Sequence, residues 1–224
     1  MKKIAVLLSG CGVFDGSEIH EAVLTLLSLS RSGAAYQCFA PDIPQMHVVN
    51  HLKGEVVETE QRNVLEEAAR IARGDIKATS ELNLADFDGL IIPGGFGAAK
   101  NLCNFAINGS NSEIAVPVRE FISRFISADK VVGFICIAPV MIPGLYGKGA
   151  KGTIGTDVET AAAYTAMGGE HQNAKVEEIV VDSERKIVST PAYMLAGAIA
   201  EANSGIEKLV AKVLELAYTL SKLL

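Results

Sequence analysis

Short apolar runs rich in valine and isoleucine alternate along this chain with stretches of helical periodicity, and no other feature narrows its fold so far. "KIAVLL" at 3–8, "GLII" at 89–92 and "VVGFI" at 131–135 are too short for buried helices and too uniformly apolar for strands with one wet face. Runs of that kind are buried on both sides, which predicts an α/β chain with a mostly parallel sheet and helices on its faces. The intervening patterns supply the helices. Ser17–Arg31 carries Ile19, Val23, Leu26 and Leu27 on one face and stops before Gly33. "EQRNVLEEAARIAR" at 60–73 stops at Gly74, and "VPVREFISRFI" at 116–126 is amphipathic. Tyr36–Ala40, closed by Pro41, predicts a further strand. Glu178–Asp182 and Lys186–Thr190 flank "SER" and predict a hairpin, while 195–223 predicts one or two closing helices with a break at Gly205.

The chain has 224 residues, 49% hydrophobic and 21% charged, which suits one large domain over 1–224 with a sizeable core. Residues 42–80 leave room for an insertion, because alternation through 42–59 is weak. A formal net charge of -6 and no Lys/Arg-rich run argue against nucleic acid or an anionic membrane as partner, and favour a small molecule. The apolar run behind Lys2 and Lys3 ends at Ser9, too short for a signal peptide, and is read as the first strand. Cys11, Cys38, Cys103 and Cys136 contain no CxxC pair, so neither a metal site nor a disulfide framework is signalled and a cytoplasmic location is expected.

Three features fall at predicted strand C-ends, where doubly wound sheets place their ligands: Gly10–Glu21, Pro93–Gly97 and Cys136. "PGGFG" fits neither GxGxxG nor GxxxxGK[ST], which argues against a nucleotide cofactor. Its adjacent glycines either aim backbone N–H groups into a cavity or serve a tight turn that needs positive φ. Cys136, in "GFICIAPVM", has two readings as well. It is a small buried apolar residue, or the exposed corner of a strand-to-helix elbow whose helix N-terminus lowers the thiol pKa. On the second reading the Ile137 N–H joins Gly94 or Gly95 as an oxyanion donor. Glu18 lies three residues after Asp15, the spacing of a capping box with Asp15 as N-cap. Glu21, one turn on, answers to no capping rule; if buried it would favour its protonated form beside a thiol. Of the four histidines, His20 and His171 are the best placed, the first as neighbour of Glu21.

Taken together, a first-helix Glu, "LIIPGG" and a strand ending in a C-x-A elbow resemble the class I glutamine-amidotransferase-like superfamily, with its intracellular-peptidase and parkinsonism-associated deglycase branches. "LSGCGVFDGSEIHEAV", "IIPGGFGAAKNL", "FICIAP" and "STPAYMLA" look more closely like the enhancing-lycopene-biosynthesis (ElbB-type) glyoxalase family. The resemblance implies a flavodoxin-like three-layer sandwich, a cytoplasmic homodimer, a link to isoprenoid biosynthesis, and a cofactor-free glyoxalase III-type hydro-lyase turning glyoxal into glycolate. It assigns Cys136 the nucleophile's place, Glu21 that of its carboxyl partner, and Gly94, Gly95 and Ile137 those of backbone donors. Glu18 and His20 are weaker candidates. Ile137 stands where the peptidase branch has histidine. Phe134 replaces the usual small residue two places before the nucleophile, which predicts a narrower substrate side. Two other readings stay open: a protein deglycase, and a non-enzymatic redox-sensing regulator with a reactive cysteine.

Overall fold

The computed structural model describes residues 1–219. Its main sheet has seven strands, β1 (Lys3–Leu7), β2 (Ala35–Ala40), β3 (Ile76–Ala78), β4 (Gly89–Ile92), β5 (Val131–Ile135), β6 (Val180–Asp182) and β7 (Ile187–Thr190). Their spatial order is β6-β7-β5-β4-β1-β2-β3. Every neighbouring pair is parallel except the β6/β7 hairpin. The longer helices are α1 (Ile19–Arg31), α2 (Val64–Ile71), α3 (Val116–Ser127), α4 (Val158–Ala166) and α5 (Ile199–Thr219). Two short ribbons lie apart from the main sheet: Val49–Asn50 with Glu55–Val56, and Lys151–Gly152 with Glu170–His171.

Strand alternation sorts side chains into the two outer layers of a flavodoxin-like sandwich. Ala5, Leu7, Leu90, Ile92, Val132 and Phe134 meet Val118, Phe121, Ile122 and Phe125 of α3 on one side. Ile4, Val6, Ile91, Val131 and Ile135 meet α1, α2 and the Ile206–Leu209–Val213 face of α5 on the other. Each fully buried side chain of this size contributes about 1.5–3 kcal/mol. The chain runs outward from β1 through β2 to β3, then returns to the far side of β1 as β4. That reversal opens a crevice at the C-ends of β1 and β4, which positions everything that follows.

Local chemistry sets the helix boundaries. Asn63 caps α2, its side chain accepting from Glu66 N, so residues 60–63 stay outside the helix expected over 60–73. Gly205 does not break α5. A Cβ there would lie 2.4 Å from Thr190 Oγ1 and 2.5 Å from the Val176 carbonyl oxygen, so glycine lets an unbroken helix pass close to β7. Residues 220–223 of the expected closing helix lie outside the described residues.

The largest departure is the face of α1. Of the expected face, Leu26 packs partly against the core, but Ile19, Val23 and Leu27 are 42%, 47% and 39% exposed, whereas Glu21, Ala22, Thr25, Ser28 and Leu29 are buried. Small residues on the inner face let the helix sit close to its neighbours, and Thr25 returns its hydroxyl proton to the Glu21 carbonyl at 2.7 Å. The Glu21 side chain is drawn inward by donors described below. Phe134 is also corrected: it is fully buried, edge-on to Tyr146 on the α3 side of the sheet, and narrows no substrate space. Among the described residues no helix is long and apolar enough to cross a membrane.

Candidate functional site

β5 ends at Ile135, and Cys136 adopts φ +62°. The left-handed region costs a non-glycine residue about 1–3 kcal/mol, so surrounding contacts must hold it there. One is the Cys136 N–H, which donates to the Thr190 carbonyl at 2.9 Å and carries the β5/β7 pairing up to the bend. The chain then enters a tight helical turn over Ala138–Met141. This is the sharp corner expected of an elbow.

The loop after β1 and the Pro93–Gly97 loop lock together beside it. Glu18 N donates to Gly94 O at 2.9 Å, Phe96 N to Val13 O at 2.8 Å, and Gly97 N to Gly16 O at 2.8 Å. Glu18 is the N-cap of α1, its Oε2 accepting from Glu21 N at 2.7 Å. The capping box with Asp15 as N-cap is therefore not formed. Asp15 is buried instead, its Oδ2 accepting from Val49 N at 2.7 Å.

Glu21 is fully buried, with Oε1 accepting from Tyr193 N at 3.1 Å and Oε2 from Gly94 N at 3.0 Å. Its side chain also meets the Cys136 thiol. Burial raises its pKa from 4.5 to about 8, aided by the charge of Glu18 and opposed by its hydrogen bonds from Tyr193, Cys136 and Gly94. The commitment of Gly94 corrects one expectation: its N–H is spent on Glu21 and is not an oxyanion donor. The N–H groups of Gly95 and Ile137 face the Cys136 sulfur. Gly95 has φ +92°, so that glycine meets both readings at once, a positive-φ turn and an amide aimed inward.

The thiol pKa is corrected too. Cys136 is 7% exposed. Burial first and then the Glu21 charge push its pKa well above the ordinary 9.0, and the Gly95 and Ile137 amides only partly oppose them. No regular helix begins directly at the corner to overturn that balance. At rest the group is a neutral thiol beside a carboxyl that titrates near neutrality. Burial also raises Cys11, Cys38 and Cys103, with the charges of Glu67 and Asp15 adding to the effect at Cys11 and that of Asp75 at Cys38.

Linkage makes the buried carboxyl measurable. Because the folded pKa of about 8 lies above the ordinary 4.5, the stability associated with Glu21 is fully present below about pH 4.5 and is lost as pH rises through about 8. The unfolding free energy measured between pH 5 and 8 is expected to fall for the wild type, with a slope of about 1.4 kcal/mol per pH unit from this one proton. Glu21→Gln is expected to flatten the dependence. Equal slopes in the two proteins would refute a neutral buried Glu21.

Cys136 opens onto a cleft of ≈ 490 Å³. Val13, Phe96, Phe105 and Met194 supply apolar walls, and Glu18, Asp157 and Tyr193 the polar groups. His20 does not line it. It is exposed, with Nδ1 2.9 Å from the Tyr193 hydroxyl. His171 is elsewhere, its Nε2 accepting from Ile154 N at 3.2 Å. Tyr193 escaped the sequence reading although it joins Glu21, His20 and the cleft. Asp157 escaped too, and its one local signal was "DVET", an N-cap followed by a helical run; its carboxylate accepts from Thr160 N at 2.8 Å. Among the described residues no group of three or more His, Cys, Asp or Glu side chains is gathered in metal-binding reach.

No family model matches the chain. Glutamine amidotransferase-like class 1 domain-containing protein 3, mitochondrial, of Homo sapiens is 46% identical over 223 residues, covering 96% of this chain and 83% of that protein. The mitochondrial ES1 protein homolog of Rattus norvegicus is also 46% identical, over 96% of this chain and 84% of that one. Both names carry a mitochondrial location, so they give no support to the expected cytoplasmic one. The solved structure of an isoprenoid biosynthesis protein with amidotransferase-like domain from Ehrlichia chaffeensis superposes with a TM-score of 0.90 at 36% identity, covering 96% of this chain and 99% of that one. A DJ-1 superfamily protein from Salmonella typhimurium, TM-score 0.59 at 22% identity over 99% and 97% of the two chains, shares the fold.

Proposed function

The chain belongs to the family of glutamine amidotransferase-like class 1 domain and ES1 proteins, and from that premise we propose that it is a cysteine-dependent, cofactor-independent glyoxalase converting glyoxal to glycolate. The observation that carries the reading is the Cys136–Glu21 pair: a thiol at a strained corner, two backbone N–H groups facing its sulfur, and a buried carboxyl titrating near pH 8 in contact with it. The likeness to an isoprenoid biosynthesis protein supports extending the proposal to a role beside that metabolism.

The atoms balance without an oxidant. As the Cys136 sulfur bonds to one aldehyde carbon, its proton passes to the Glu21 carboxylate, and the carbonyl oxygen takes the developing charge toward the Gly95 and Ile137 amides. Glu21 returns the proton to that oxygen, giving a hemithioacetal. Glu21, again a carboxylate, takes the hydrogen on the sulfur-bearing carbon as a proton and delivers it to the neighbouring carbon, through an enediol. One carbon is thereby oxidised and the other reduced, and the product is a thioester of glycolate. Water cleaves the thioester and restores the thiol. Histidine is needed at no step, because the carboxyl at about 8 supplies both protonation states near neutrality.

A peroxide-sensing role is less well supported, since oxidation favours accessible, low-pKa thiols and burial here works in the opposite direction. Deglycation would begin with the same addition, and no separate observation favours it. The test is to incubate purified protein with ¹³C-labelled glyoxal and follow glycolate by NMR. Glycolate should form, with kcat rising as pH passes upward through about 8, because only the ionised carboxyl accepts the thiol proton. No glycolate above the buffer rate would refute the proposal.

A further inference from the structure

Two consecutive residues of α1 grip one residue of the segment after β7 at opposite ends. Glu21 takes the Tyr193 backbone N–H on Oε1 at 3.1 Å, and His20 Nδ1 lies 2.9 Å from the Tyr193 hydroxyl. The imidazole and phenol rings also meet, with centroids 5.8 Å apart. Glu21 is buried, His20 is exposed and Tyr193 is half-buried, so the phenol bridges the sealed acid and the surface. No step of the chemistry proposed above uses the bond at the wet end.

The backbone that delivers the Tyr193 N–H is strained. Ala192 is fully buried with φ +43°, in the left-handed region that a side chain disfavours. The peptide that follows it carries the N–H bonded to Glu21. Within the turn over Ala192–Met194, Met194 N donates to Pro191 O at 3.0 Å, and Leu195 N and Ala196 N donate to Ala192 O at 3.0 and 2.9 Å. These bonds wind the turn on itself, and none of them reaches α1. The contacts of Tyr193 with His20 and Glu21 do, one through the side chain and one through the backbone.

We propose that His20 and Tyr193 are positioning residues for the Cys136–Glu21 pair: the bond between their side chains docks the Ala192–Met194 turn on α1 and thereby keeps the Tyr193 N–H on the Glu21 carboxyl. This deepens the reading of Cys136 and Glu21 as the working pair and rests on it. A donor to a carboxylate favours its charged form, so releasing the dock raises the pH at which Glu21 ionises and leaves less carboxylate to accept the thiol proton. The groups facing Glu21 are Glu18 at the N-cap of its own helix, Cys136 at the end of β5 and Tyr193 beyond β7, and the dock acts through the last of these. Burial and the charges of Glu18 and Glu21 push the Tyr193 phenol up from 10.0, so it stays protonated and donates to neutral His20. When His20 is protonated its Nδ1–H donates to the phenol oxygen instead, and the dock survives the change.

The test is a ¹³C NMR titration of the Glu21 carboxyl in glutamate-labelled protein, with its resonance assigned by its loss in Glu21→Gln. The wild-type midpoint of about 8 should rise by about one pH unit in Tyr193→Phe and in His20→Leu, because both keep the bulk of the side chain and remove the bond. Hydrogen exchange at the Tyr193 amide should quicken about tenfold in both. His20→Asn presents Oδ1 where His20 presents Nδ1, and it should return the midpoint and the exchange rate to those of the wild type. A dock that served only the fold would lower stability without moving the Glu21 titration. A Glu21 midpoint that stays or falls in Tyr193→Phe or His20→Leu, or a His20→Asn protein that behaves as His20→Leu does, would overturn the proposal. Turnover is read separately: the pH of half-maximal kcat should follow the NMR midpoint from variant to variant, and a kcat midpoint that stays fixed while the NMR midpoint moves overturns the positioning role. If the wild type forms no glycolate, the glyoxalase reading fails and the NMR titration still decides whether the dock sets Glu21.

Discussion

Cys136→Ala is expected to abolish glycolate formation, with a loss on the order of 10⁴-fold or more, because every covalent step passes through the sulfur. Cys136→Ser should do nearly as badly. A serine hydroxyl is far less acidic than a thiol, and at this corner the only assistance is a carboxyl at about 8 with no histidine in contact. The remaining catalysis from the Gly95 and Ile137 amides then has no intermediate to stabilise. Both variants should fold, since a small side chain replaces a small one; retained circular dichroism and an unaltered denaturation profile distinguish lost chemistry from lost structure. Wild-type turnover in either variant would remove Cys136 from the mechanism.

Gly94→Ala carries the largest expected cost in stability. A Cβ on Gly94 would lie 2.4 Å from Cys136 Cβ, 2.7 Å from Glu21 Oε2 and 2.9 Å from the Ile135 carbonyl oxygen. None of these has room to retreat: Cys136 is fixed by its pairing with Thr190, and Glu21 is tied to Gly94 and to Tyr193. Overpacking of this kind costs about 3 kcal/mol, and the cost is raised by losing the bonds that keep Glu21 in place. The unfolding free energy should fall by that amount, lowering the denaturation midpoint, and turnover should disappear with it. Gly197→Ala is the control, because its added carbon meets only Glu201 Oε2 at 3.7 Å. Similar midpoints for the two variants would show that the Gly94 contact is not tight.

Much of the sheet was legible because its cause is local. Strands buried on both faces read as apolar runs, so β1, β4 and β5 stand out, and the β6/β7 hairpin declares itself by two runs about a polar turn. The corner at Cys136 could be placed from the junction of β5 with "APVM". Orientation was not local. Periodicity reveals that α1 has an apolar stripe but not that most of it, Ile19, Val23 and Leu27, faces outward, and the inner face was decided by Gly94 and Tyr193 donating to Glu21 across 73 and 172 residues. The thiol pKa was misjudged for the same reason. A helix start is visible in sequence, whereas the burial and the Glu21 charge that dominate come from elsewhere in the chain. Asp157 was hidden differently, since its cap is local but its place in the cleft is tertiary.

The bonds that hold Glu21 have a consequence for the order of folding. Its carboxyl is tied to the end of β4 and to the segment after β7, and the Cys136 backbone is tied to Thr190 on β7 itself. Closing a loop of that length is entropically costly, so such contacts form late. In a growing chain the residues of α1, β4 and β5 are added before Thr190 and Tyr193, with which Cys136 and Glu21 must pair. Until then Cys136 is an ordinary thiol without a buried acid beside it. Assembly of the C-terminal segment is thus the step that arms the site, and any lesion that prevents β7 from docking leaves an intact cysteine in an inert setting.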